Sequence, residues 1–202
     1  RVIGSNSRPM TGVKIEGNTI SNAQRYGIFG TYAPKMLIQK ANKISLTAKQ
    51  AILLEKASNN SKISGCVINN KKMDAIAVYG CKKVTVSGNT VTAKDNGIRV
   101  ALNSPMAVVE KNTVQSTGQN GIWVSSGCGQ SVVRENTIKK YGTSGEYYGI
   151  YIYQAGGKSA KQTTTVKGNT ITGSGKSQVK HGIKVSESPY LVCEANKITA
   201  TP

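Results

Sequence analysis

Very little in this sequence is of the kind from which catalytic sites are usually assembled. There is one histidine, His181, and only nine acidic residues stand against 27 lysines and arginines. Hydrolysis by a pair of carboxylates therefore has poor support. The four cysteines, Cys66, Cys81, Cys128 and Cys193, have no C-x-x-C spacing and no histidine cluster near them, which argues against a metal site. No run of 18 apolar residues exists, so no membrane-spanning helix is expected, and residues 1–202, which do not begin with Met, are expected to hold no signal peptide. Leucine is scarce, and no stretch keeps a 3.6-residue apolar period over a helical length. That excludes leucine-rich and all-helical repeats.

What the chain does contain is a repeat. Gly17-Asn18-Thr19-Ile20 returns as Gly88-Asn89-Thr90-Val91 and Gly168-Asn169-Thr170-Ile171, with weaker copies around Asn42, Asn112, Asn136 and Asn196. Cys66 fills the one gap, in Gly65-Cys66-Val67-Ile68. Successive steps are 24, 24, 23, 23, 24, 33 and 27 residues, and a fixed period of this size means one unit stacked on copies of itself.

Each unit carries three short strand signals, as in Val84 to Val100: an alternating Val84-Thr85-Val86, then Thr90-Val91-Thr92 after the Gly-Asn turn, then Gly97-Ile98-Arg99-Val100. The residue two places after each ladder position is always β-branched and apolar, from Ile20 to Ile198, as one wall of a core requires. A second column, Gly-Ile or Ala-Ile, follows 8 or 9 residues after the asparagine in the first five units and 13 after it in Gly149-Ile150 and Gly182-Ile183. Strands too short to bury a face alone become stable when unit stacks on unit through parallel pairing. Cys66 and Cys193 sit at ladder and inward positions and are expected to be small buried side chains. Cys81 and Cys128 lie two units apart, roughly 9–10 Å at strand spacing, too far for a disulfide, so free thiols are expected.

The pattern apolar-x-apolar-x-Gly-Asn-Thr-Ile followed by Gly-Ile-x-Val resembles the right-handed parallel β-helix repeat of the pectate-lyase-like superfamily, over essentially the whole chain. The resemblance implies an all-β, single-stranded parallel solenoid of roughly eight coils. It also implies a structural ladder of Asn18, Asn42, Cys66, Asn89, Asn112, Asn136, Asn169 and Asn196 at one turn. On activity it is nearly silent, because that superfamily includes lyases, hydrolases, epimerases, phage tailspikes and adhesins. Residues 1–202 read as one segment. Arg1-Val2 to Met10 resembles Arg99-Val100 to Met106, so the chain is expected to begin in mid-coil, with further β-helix coils or domains preceding residue 1.

Alternation turns the residue after each recurring isoleucine outward: Phe29, Leu53, Ala77, Arg99, Trp123, Tyr151 and Lys184, with Tyr79 and Tyr153 two places further on. Rings interspersed with cations suit sugar stacking and carboxylate pairing. Phe29, Tyr79, Arg99, Trp123, Tyr147, Tyr148, Tyr151, Tyr153 and Lys184 are thus the candidate substrate-binding residues. The longest insertions, Tyr141–Tyr148 and Gly173–His181, enter the same turn of neighbouring coils beside Tyr151 and Lys184, and a further extended stretch runs from Gln154 to Gln162. Asp74 and Asp95 precede the Gly/Ala column in adjacent coils and could act as a pair or approach one cation. They share a variable turn position or its neighbour with Tyr26, Gln50, Asn96, Asn120, Tyr148 and His181, where a plain turn role is the favoured reading.

A net charge of +18 points to an anionic partner. The function expected is binding of an anionic polysaccharide along the aromatic and basic face, outside the cell or at its surface, without a complete catalytic set and without a cofactor. Polysaccharide lyases of the resembled superfamily use Arg or Lys as base and often Ca²⁺, which makes Arg99 and Lys184, with Asp74 and Asp95, the catalytic candidates of an alternative reading. The Asp-Pro-His signature of alginate epimerases and the aspartate cluster of polygalacturonases are absent. A stalk, adhesin or tailspike-like fibre is a second alternative. Nucleic acid binding has charge and rings in its favour but no recognisable module.

Overall fold

The computed structural model describes residues 1–173 and 181–199. The chain winds through eight coils of three strands each, and like strands stack into three parallel eight-stranded sheets. Coil 5 shows the plan: Ile98–Ala101 in the first sheet, Val108–Glu110 in the second and Thr113–Thr117 in the third. No helix occurs among the described residues.

Register is set by the inward isoleucines and valines. Ile28, Ile52, Ile76, Ile98, Ile122, Ile150 and Ile183 pair in sequence along the first sheet. Ile20, Ile44, Ile68, Val91, Val114, Ile138, Ile171 and Ile198 do so along the third. A one-residue slip in any coil would turn its whole apolar set to solvent, so the stack holds a single register. Through the middle coils these columns and the apolar residues of the second sheet form one continuous buried core, against which Ile20 and Ile183 pack half-buried, while Ile198 is exposed.

The Gly-Asn turn joins the second sheet to the third. In each link the backbone N–H and Nδ2 of one asparagine donate to Oδ1 of the next coil's asparagine, as from Asn89 to Asn112 at 3.0 and 2.9 Å. Nδ2 also donates to the inward carbonyl of the preceding coil, from Asn112 to Val86 and from Asn136 to Val109. The same bonds join Asn18 to Asn42 and run from Asn112 through Asn136 and Asn169 to Asn196. Cys66 interrupts the row: its N–H still reaches Asn89 Oδ1 at 2.9 Å, but Asn42 meets a thiol in place of a carbonyl oxygen. The residue before every ladder position has positive φ, supplied by Gly at 17, 65, 88 and 168 and by Ala41, Lys111, Glu135 and Ala195 elsewhere.

All four cysteines are free thiols. Burial pushes Cys66 and Cys128 up to about 11 and Cys81 up to about 12. Cys193 departs from the expectation of burial. It pairs with Val166 in the inward column, but its thiol is exposed.

Candidate functional site

The outer face of the first sheet divides into two unlike halves. Over coils 2 to 4, Phe29, Leu53 and Ala77 point away from the core yet are 9%, 3% and 0% exposed. They form a small second cluster beneath Tyr26 and Tyr79. Tyr26 lies on Phe29 with ring centroids 5.0 Å apart, and Arg1 covers Phe29 from another side. Phe29 is therefore not a surface ring. Alternation gives the direction of these side chains, but the tyrosines from the flanking turn and strand end decide that they are covered.

Over coils 5 to 8 the column stays at the surface. Arg99, Trp123, Tyr151 and Lys184 are adjacent in register and half-buried. The Arg99 guanidinium sits 4.2 Å from the Trp123 ring centroid and 5.5 Å from that of Tyr79. Trp123 and Tyr151 are nearly parallel at 6.2 Å, and Tyr148 and Tyr153 flank Tyr151 at 5.1 and 5.9 Å. Lys184 closes the column, its Nζ 4.9 Å from the Tyr148 ring centroid and donating to the Tyr148 hydroxyl at 3.0 Å. Because the rings stack on one another, their faces are largely taken by neighbours. What they present outward is edges, phenol hydroxyls and the two cations, a surface for hydrogen bonding and charge pairing more than for sugar-on-ring stacking.

Electrostatics favours an anionic guest. The hydrogen bond to Tyr148 raises the Lys184 ammonium above its ordinary range, so it remains a charged donor. Glu187, followed by burial, raises the Tyr153 phenol. Neither Arg99 nor Lys184 has an ion pair among the described residues, whereas Glu16, Glu110, Glu135 and Glu194 are spent on Lys40, Arg134, Lys111 and Lys167 along the second-sheet side. Among the described residues, two of the three buried side-chain donors or acceptors without a partner, Arg99 Nε and Trp123 Nε1, lie in the stack.

The acidic candidates are placed differently. Asp74 is 2% exposed, and its Oδ1 accepts both the backbone N–H and Nδ2 of Asn96 at 3.0 and 2.8 Å. Asn120 donates in the same way to Asn96, and the Tyr148 N–H donates to Asn120. Asp74 thus terminates a second, shorter ladder at the turn entering the first sheet. Burial, then the charge of Asp74, raises the Asp95 carboxyl; burial, then Asp74, pushes Tyr79 up to about 12. The two aspartates feel each other, but Asp74 is committed to the scaffold.

In the first insertion, Tyr141 is buried and its hydroxyl donates to the His181 carbonyl at 3.2 Å. Tyr147 lies against Gly145 and not in the stack, and Tyr148 enters it. Of the second insertion, residues 174–180 lie outside the described residues; His181 stacks on Tyr148 with centroids 6.2 Å apart.

A chain wound through three parallel sheets, with an asparagine ladder at one turn, is a parallel β-helix. The chain belongs to the right handed beta helix region family, whose model matches residues 2–106 and 41–198. No curated protein matches the sequence. Among solved structures it is similar to the A-module of the mannuronan C-5 epimerase AlgE4 of Azotobacter vinelandii, with a TM-score of 0.75 and 13% identity over 95% of this chain and 54% of that one. The chain spans about half the length of that module, and the likeness is one of fold.

Proposed function

We propose that the outer face of the first sheet, from Tyr79 to Lys184, binds an anionic polysaccharide outside the cell or at its surface. The observation that carries this reading is the in-register column Arg99–Trp123–Tyr151–Lys184, with a cation seated on rings at each end and neither cation ion-paired among the described residues. Carboxylates spaced along a polymer would pair with the cations, and its hydroxyls with the phenols of Tyr148, Tyr151 and Tyr153. The fold-level neighbour is an epimerase named for mannuronan, which agrees with a uronate as guest.

The test is binding of polygalacturonate, alginate and a glycosaminoglycan at low salt and again at rising salt. Binding that weakens with salt and is lost in Arg99→Ala, Trp123→Ala and Lys184→Ala supports the reading. Absence of binding to all three at low salt overturns it.

Catalysis by a lyase route, with Arg99 or Lys184 as base, draws less support. A lysine held protonated by a phenol is a poor proton acceptor. Release of unsaturated uronide, followed by ultraviolet absorbance and abolished by Lys184→Ala or Arg99→Ala, would establish it.

A further inference from the structure

Beyond the ring stack, the turn that leaves the first sheet forms a trough of about 470 Å³ across coils 4 to 7. Its lining is unlike that of the stack. Lys82 and Lys158 stand at its two ends, the amides of Asn103, Gln130 and Gln154 lie between them, and Met106, 40% exposed, supplies an apolar wall. Three coil spacings separate the coil of Lys82 from that of Lys158, roughly 14 Å.

The trough is a built feature. A Cβ on Gly129 would come within 2.3 Å of the Gly156 carbonyl oxygen, and one on Gly156 within 2.0 Å of the Pro189 carbonyl oxygen. Glycine at both places lets the coils close into a side-chain-free floor. The wall that carries Lys158 is the extended stretch after Tyr153, and it is tied back on itself. Lys158 N–H donates to the Gln162 carbonyl, Gln162 N–H to that of Ser159, and the Thr164 hydroxyl to that of Ala155 at 2.7 Å. Neither Lys82 nor Lys158 has an ion pair among the described residues. No acidic residue among those described lines the trough; Glu187 lies next to it, accepting from Gln154 Nε2 at 2.7 Å.

Cations at the ends, amides that both donate and accept along the middle, and a thioether wall match an oligosaccharide bearing carboxylates. The amides suit hydroxyls, the lysines suit uronate carboxylates, and the apolar wall accepts the C–H face of a pyranose, which the self-stacked rings of the first sheet cannot. We propose that this trough is a second saccharide subsite, taking a short uronate segment independently of the ring stack. The proposal rests on the reading of the ligand as an anionic polysaccharide.

The experiment is calorimetric titration of the whole chain with a uronate trimer and a uronate decamer, in the parent, in Lys82→Gln/Lys158→Gln, and in Trp123→Ala/Lys184→Ala. The trimer is expected to bind the parent and the stack variant alike. It should weaken by about tenfold or more in the lysine variant, the loss of one or two charge-assisted pairs. A parent that binds the decamer but not the trimer, or a trimer affinity unchanged in Lys82→Gln/Lys158→Gln, overturns the trough while leaving the stack reading intact. A parent that binds neither oligomer overturns both.

Discussion

Replacing Cys66 by asparagine should stabilise the protein, and the size of the effect can be worked from the neighbouring coils. At a complete link, one Oδ1 accepts from both the backbone N–H and Nδ2 of the preceding asparagine, as Asn112 does from Asn89 at 3.0 and 2.9 Å. At coil 3 those donors of Asn42 meet a thiol, a weak acceptor. A restored amide would supply Oδ1 to Asn42 and direct its Nδ2 to Asn89 Oδ1 and to the carbonyl of Ile38, which is in register with Ile15 and Ile63, the acceptors used by Asn42 and Asn89. Four hydrogen bonds would replace two weak ones to the thiol, a net gain of two to three at about 1 kcal/mol each, which less the cost of burying a larger polar group leaves about 1–2 kcal/mol. For a chain of this size that is a rise in Tm of roughly 2–8 °C. Calorimetric melting of Cys66→Asn beside the mirror change Asn112→Cys is the assay, and the second should lose about what the first gains. A Cys66→Asn protein that melts at or below the parent, together with an unaffected Asn112→Cys, would refute the idea that each link contributes to stability.

The positive-φ position before the ladder gives a conformational test free of packing. Nothing lies within 4 Å of a Cβ built on Gly88, so Gly88→Ala should cost about 1–2 kcal/mol from left-handed strain alone, while Ala41→Gly should gain up to about 1 kcal/mol; denaturant midpoints read both. Of the four thiols, Cys193 should react first with a thiol reagent in the folded protein, and Cys66, Cys81 and Cys128 only on unfolding. Because burial raises those three thiols from 9.0 to about 11–12, their contribution to stability is complete below about pH 9 and is lost as pH rises toward 12. Urea midpoints measured up that range should fall less steeply in a triple serine variant.

The period of the asparagines and the β-branched column behind them carried the solenoid, because both recur at every coil and neither depends on what lies outside the unit. Coverage of the outer face did not recur. Phe29 is hidden by Tyr26 and Trp123 is not, and that difference depends on which residue the adjoining turn happens to supply. The ladder through Asp74, Asn96 and Asn120 was harder to see because residue type changes along it and a backbone N–H, that of Tyr148, ends it. A column of polar residues just before Gly-Ile was the available sign, but Tyr26, Gln50 and His181 in the same column obscured it. The trough lay in a stretch that read only as an extended loop, since its floor is backbone.

The two ladders run in opposite senses. From amide to amide, the long one donates toward the C-terminal coil, and the short one toward the N-terminal coil, where Asp74 receives the last bond. A graft of foreign coils where both ladders run would have to match both arrows at once, and an amide turned the wrong way at either edge would set oxygen against oxygen. The paired arrows act as a polarity check on assembly, admitting a coil only when it is threaded in the chain's own direction.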